Sequence, residues 1–208
     1  LAPPVASDEL ATLREQFEAM GHANVRTFIS TGNVVFESPS RATPAMVRAI
    51  ERHLESALGM HVDTFLRSDA EVHAIVRHNA FDFDTLHAAK EMHVGFLTDP
   101  LPSDAVQRLM ALRTPLDQFH VNHREIYWLC RSRRNASDFS ADVFAKAIRV
   151  PVTFRPVTTL LRLLPWIEGT RWAERAASAA DALATARAFG SFLRRLTDLP
   201  GPALHATI

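Results

Sequence analysis

Cysteine is the scarcest reactive residue: Cys130 is the one cysteine in 208 residues. A lone thiol excludes an intrachain disulfide and a multi-cysteine zinc site, and it suits a reducing compartment. Net charge is absent as well, with 23 Lys+Arg against 23 Asp+Glu. That balance argues against a broad nucleic-acid-binding surface, though not against a local basic patch. The seven glycines all read as turns, caps or spacers. No Gly-rich phosphate loop, Rossmann fingerprint, Gly-x-Ser-x-Gly or helix–turn–helix signal is present. No apolar run is long enough to cross a bilayer, since the stretch 158–167 is short and holds Arg162. No basic start leads into an apolar run, so no signal peptide is read and the expected setting is the cytoplasm. The chain opens at Leu1, without a methionine.

What is present is ordinary globular material, 47% apolar and 22% charged, enough to bury one good core or two small ones. The organising stretch is Val25 to Phe36. Two β-branched and aromatic runs flank Thr31-Gly32-Asn33, where Gly and Asn supply the positive φ of a tight hairpin connection. Before it, Ser7 caps a helix striped with Leu10, Leu13, Phe17 and Met20 and closed by Gly21. After it, Thr43 and Pro44 open a helix with Val47, Ile50, Leu54 and Leu58 on one face and Gly59 at its end. Residues 61–67 alternate and predict a strand, and Ser68 with Glu71 makes a capping box for a short helix. The segment 80–91 lacks periodicity and is expected to be a linking loop.

A second pattern follows. Met92–Leu97 predicts a strand, Val106, Leu109 and Met110 mark a helix, and 118–121 with 125–130 form another hairpin. A helix bearing Val143, Phe144 and Ile148 comes next, then a strand at 152–154 and a helix from Thr158 to Ile167, which Pro165 is expected to bend or end. From Thr170 to Leu196 the chain becomes Ala-rich and helical, and 197–208 looks frayed. The expected fold is therefore α+β. It has two tandem ferredoxin-like (split βαβ) subdomains with antiparallel sheets, residues 1–80 and 81–164, and a C-terminal Ala-rich helical extension, 165–208. The extension either covers the sheets or forms a homodimer through its helices. The first subdomain lacks its opening strand.

The block Val25–Phe36 resembles the Tyr-Ile-Gln-Ser-Gly-Asn-Val-Val-Phe block of a bacterial family of conserved proteins catalogued as domain of unknown function 1697. Arg67-Ser68, Asn79-Ala80-Phe81, His93–Leu97 and Glu125-Ile126-Tyr127 are similar to later blocks of that family, in the same order. The family's closing Thr-x-Arg-Asn-Trp-Asn-Thr run stands here as Thr153-Phe-Arg-Pro-Val-Thr-Thr159, and its opening Arg-Gly-Ile-Asn-Val-Gly-Gly loop is missing. The resemblance covers about residues 8–164 and implies a pair of ferredoxin-like subdomains. It implies no reaction. A binding role for Asn33, Arg155 and Thr159 rests on that likeness alone.

Charge supplies the functional lead. Between Arg124 and Arg162 eight basic residues, among them Arg131, Arg133, Arg134 and Arg155, face three acidic ones. Guanidinium forks suit phosphate or carboxylate, and Tyr127 or Trp128 could give a base a stacking surface, though neighbours on a strand face opposite ways. A solvated basic region is the plainer account. Asp82, Asp84, His87, Glu91 and His93 match no zinc signature and read as polar loop and strand. His120 and His123 flank the second turn and would need ligands from elsewhere to hold a metal. Cys130 has three arginines close by, and a catalytic role would require His120 as its base. Neither cofactor nor metal is expected, and nothing marks a catalytic residue.

Two functions remain open on these grounds. One is a non-catalytic binding module engaging an anionic small molecule, single-stranded nucleic acid or a protein through the second subdomain. The other is an enzyme with its site in a cleft between the subdomains. Arg131, Arg133, Arg134 and Arg155 are expected not to share one face. In a 4-1-3-2 sheet the missing first strand is central, so an empty lane is expected beside Asn33–Phe36, together with about 15–25 further residues upstream to fill it.

Overall fold

The computed structural model describes residues 7–28, 32–40, 42–131, 139, 141–168 and 205–207. These fall into two compact units. The first holds the residues up to Ala74, those from Leu163 to Glu168 and the segment at 205–207; the second holds Ile75 to Arg162.

In the first unit α1 (Ser7–Ala19) delivers Phe17, 1% exposed, to a core shared with Val25, Val34, Phe36, Ile50 and Leu66. Helix α1 closes where the Gly21 amide donates to the Glu18 carbonyl, at a φ of 83° that suits glycine. Strands β1 (Ala23–Phe28) and β2 (Asn33–Glu37) form the antiparallel hairpin, with Phe28 opposite Asn33. Gly32 takes φ 74° in the connection. Alternation puts Val25 in the α1 core and Phe28 on the reverse face, edge-on to Trp166 at 5.0 Å. Helix α2 (Pro44–Leu58) begins as its sequence dictates: Thr43 Oγ1 accepts from the Met46 amide at 3.2 Å, and Gly59 ends it. Val47, Ile50 and Leu54 are buried, whereas Leu58 is exposed.

Strand β3 (Leu66–Ser68) is later and shorter than the strand expected over 61–67. Side chains serve the backbone instead: the Thr64 amide donates to Glu51 Oε1, and the Thr64 hydroxyl to the Val62 carbonyl. Helix α3 (Asp69–Arg77) opens on the expected capping box, the Ser68 amide donating to Glu71 Oε2 and the Glu71 amide to Ser68 Oγ.

The missing lane is filled from the other end of the chain. Strand β8 (His205–Thr207) lies between β2 and β3, antiparallel to both, and the sheet order is β1-β2-β8-β3. Ala206 stands opposite Val35 on one side and Arg67 on the other. This corrects two expectations, the empty lane and a purely helical extension ending in a frayed tail. Two facing rows of backbone donors and acceptors are satisfied by a segment that contains no proline. The Ala-rich stretch 170–196 lies outside the described residues.

In the second unit α4 (Phe83–His87) interrupts the expected loop, because Asp82 caps it by accepting from the Thr85 amide at 2.7 Å. Strand β4 (Glu91–Phe96), α5 (Ser103–Met110), β5 (Asp117–Asn122), β6 (Glu125–Cys130), α6 (Ala141–Ile148) and β7 (Thr153–Pro156) follow, and α7 (Val157–Glu168) starts in this unit and ends in the first. The antiparallel sheet runs β5-β6-β4-β7. His123 adopts φ 51° in the two-residue turn joining β5 to β6. One face packs Phe119, Ile126, Trp128 and Cys130 against Leu109 of α5 and Phe144 and Ile148 of α6. Gly95 of β4 lets the Phe154 ring close in on that face: a Cβ there would sit 2.5 Å from it. Pro165 does not end α7, which runs on to Glu168. The whole is an α+β fold with two antiparallel sheets, consistent with a ferredoxin-like arrangement.

Candidate functional site

Alternation along β5 builds a site on the sheet face away from α5 and α6. Asp117 and Phe119 point into the core, so Gln118 and His120 point to the reverse face. The loop from α5 into β5 is stiffened by Thr114, whose hydroxyl oxygen accepts from the Leu116 and Asp117 amides, while its amide donates to the Asp117 carbonyl. Asp117 is anchored in turn by the Trp128 indole, which donates to its Oδ1 at 2.9 Å. Arg113 precedes this turn and donates from Nη2 to the Phe119 carbonyl at 2.8 Å, which lays its guanidinium along β5.

Across from it comes the segment leaving α3. The Tyr127 hydroxyl of β6 donates to the Ile75 carbonyl at 3.0 Å and ties the last residues of α3 to the sheet. His78 then meets His120, Nε2 to Nε2, at 2.9 Å, and Phe81 approaches the His120 ring edge-on at 6.4 Å. Between the two sides lies a pocket of about 310 Å³ lined by Ala80, Phe81, Arg113, Thr114, Gln118, Phe119 and His120. Its lining side chains include one guanidinium, one hydroxyl, one amide and one imidazole, with the Phe81 ring beside His120.

Both imidazoles are held below their usual pKa, His78 by burial and then by His120 and His123, His120 by burial and then by Arg113. Burial pushes the Tyr127 phenol up, so it stays protonated. The lining thus brings together a guanidinium, a group suited to anions, and an aromatic ring. No group of three His, Cys, Asp or Glu side chains among the described residues is placed to hold a metal ion.

The described residues singled out from sequence stand on different elements. Asn33 is fully buried and donates from Nδ2 to the Phe28 carbonyl at 3.1 Å, so it locks the first hairpin. Arg155 of β7 is 8% exposed and donates to the Thr153 hydroxyl and the Phe154 carbonyl; burial brings its pKa down to about 10, so it stays charged at neutral pH. Thr159, in the first turn of α7, is also buried. Arg131 follows β6, with its amide donating to the Leu116 carbonyl at 2.7 Å. Strands β6 and β7 flank β4 on opposite sides, so Arg131 and Arg155 leave the sheet from different flanks. Arg133 and Arg134 lie outside the described residues.

Other candidates are spent on structure. Tyr127 and Trp128 do face opposite ways, yet each is only 1% exposed, so neither offers a base a stacking surface. Cys130 is buried opposite Asp117, whereas His120 stands opposite Tyr127, so that histidine cannot serve the thiol as a base. His93 is buried beside the Trp128 ring at 5.2 Å. His78 was not singled out from sequence. It lies 42 residues from His120, and no spacing rule joins the end of a helix to a strand that far away.

Among the described residues no helix is long and apolar enough to cross a membrane. No curated protein matches the chain in sequence. Its fold is similar to that of a conserved bacterial protein from Streptococcus pneumoniae, with a TM-score of 0.52 and 19% identity over 76% of this chain and 87% of that one. The pattern of the family described as protein of unknown function DUF1697 matches residues 7–127. That stretch holds the first hairpin, the three capped helices α2, α3 and α4 and the pocket strand β5, and the chain belongs to this family.

Proposed function

We propose that the protein is a non-catalytic binding module whose second unit takes a small anionic molecule in the pocket beside β5. We read each unit as a ferredoxin-like half, which makes the reverse face of the second sheet the binding face. The observation that carries the reading is the pocket, with Arg113 laid along β5 and no carboxylate among its lining residues. Its volume suits a ligand of aromatic-acid size. Nucleic acid is the weaker partner, because both sheet aromatics are buried. A reducing, cytoplasmic setting fits the single buried Cys130.

Calorimetric titration with benzenesulfonate, a flat anion of fixed charge, tests the reading. Saturable binding that Arg113→Gln weakens about tenfold or more is expected, as for the loss of a charge-assisted hydrogen bond. Equal affinity in the variant would overturn the assignment of Arg113, and no binding by the unaltered protein would overturn the pocket.

A further inference from the structure

We infer that this pocket takes up a proton together with its anionic ligand, through the imidazole pair His78–His120; the inference rests on the binding reading above. The geometry leaves few protonation states. Two Nε2 atoms 2.9 Å apart hold one hydrogen between them, so one ring donates and the other accepts. One extra proton can enter at the donor ring's Nδ1. The result is an imidazolium donating to a neutral imidazole, a charge-assisted bond that keeps the contact. A second proton would put a hydrogen on both Nε2 atoms and break it. The pair therefore has a neutral and a singly charged form of the same shape.

The surroundings decide which form is present. His120 lines the pocket and feels Arg113 from the α5–β5 loop; His78 stands behind it and feels His123 from the β5–β6 turn. The Tyr127 ring of β6 lies 5.0 Å from that of His78, tilted to it, and stays neutral, its hydroxyl donating to the Ile75 carbonyl. Burial, Arg113 and His123 thus all act against the charged form of the pair. An anion between Arg113 and His120 reverses this balance. It screens the guanidinium and adds an attractive charge beside the ring, so the pair gains its proton when the ligand arrives. By linkage, affinity must then rise as pH falls, by at most tenfold per pH unit for one proton. His120 touches the ligand; His78 is a positioning residue that stores the proton behind it.

The test is benzenesulfonate binding to the full chain from about pH 8 to about pH 6, where imidazoles titrate, in two amine buffers of different ionisation enthalpy. The expected result is an affinity that climbs several-fold across this range, with a buffer-dependent heat reporting up to one proton taken up. His78→Gln keeps a partner for His120 but cannot titrate. It is expected to bind with the pH dependence reduced, once its melting curve shows that it folds. Should it not fold, proton NMR of the unaltered protein reads the same quantity, the titration midpoints of both rings moving up on saturation. Binding with no pH dependence and no proton uptake would overturn this inference while leaving the pocket standing. Absence of binding at every pH would overturn both.

Discussion

Asp117, Gly95 and the His78–His120 pair each hold a position that no other side chain would fill equally well. Asp117 is buried and accepts from both the Trp128 indole and the Thr114 hydroxyl. Asp117→Ala leaves two donors without their acceptor and should cost about 2–4 kcal/mol; chemical denaturation that finds less than half of this would show that Trp128 has found another partner. At Gly95 a methyl group would meet the Phe154 ring, itself packed on Trp128 and Phe144. Gly95→Ala should destabilise by about 1–3 kcal/mol through overpacking, and a melting temperature equal to that of the unaltered protein would mean that the ring has room to withdraw. For the histidine pair, both folded-state pKa values lie below the unfolded 6.5, so below that pH the unfolded chain binds more protons. The pair's contribution to stability is complete above pH 6.5 and is lost as pH falls through the folded values. Melting temperature should drop on mild acidification, and less so in His78→Gln. A parallel decline in both proteins would assign the effect to other groups.

At the scale of elements, local chemistry accounts for most boundaries. Thr43-Pro44 and Ser68–Glu71 start helices by supplying acceptors to free amides, and Gly59 ends α2 with the left-handed φ it tolerates. The one-turn helix α4 escaped notice because a single cap at Asp82 leaves no periodicity to read. Strand β8 is of a different kind, since its three residues have partners more than 130 positions away on β3. Ala206→Pro would remove an amide from a strand paired on both sides, costing about 1–3 kcal/mol. Faster hydrogen exchange is expected at Val35 and Arg67, which stand opposite Ala206. Unchanged protection at both would show that β2 and β3 do not depend on β8.

For the molecule as a whole, the proposed ligand should act as a stabiliser. Benzenesulfonate at one hundred times its dissociation constant adds about 2.7 kcal/mol to the state that binds it. A rise in melting temperature of several degrees should follow, and it should vanish in Arg113→Gln; a rise of equal size in that variant would place the ligand elsewhere. Of the arginines crowded between residues 124 and 162, Arg131 and Arg155 follow strands on opposite sides of β4. The pocket draws on Arg113, outside that cluster, and on β5.

Apart from β3's start, α4 and β8, the sequence by itself determined which described segments become helix or strand, where caps begin and end them, and which residues alternate across each hairpin. It also carried the α+β class and the family likeness, since hairpin, caps and stripes are local patterns of a few residues. Tertiary structure alone decided the rest. Alternation places Tyr127 and Trp128 on opposite faces but is silent about what covers each face, and both turned out buried. A lane between β2 and β3 demands a strand without naming its source, and a tripeptide near the C-terminus fills it. The His78–His120 contact of 2.9 Å joins the segment after α3 to the middle of β5, beside the bond from the Tyr127 hydroxyl to the Ile75 carbonyl. Such pairings depend on the three-dimensional path of the chain, because the energy that selects them comes from burial and from backbone groups that must find partners, wherever in the sequence those partners lie.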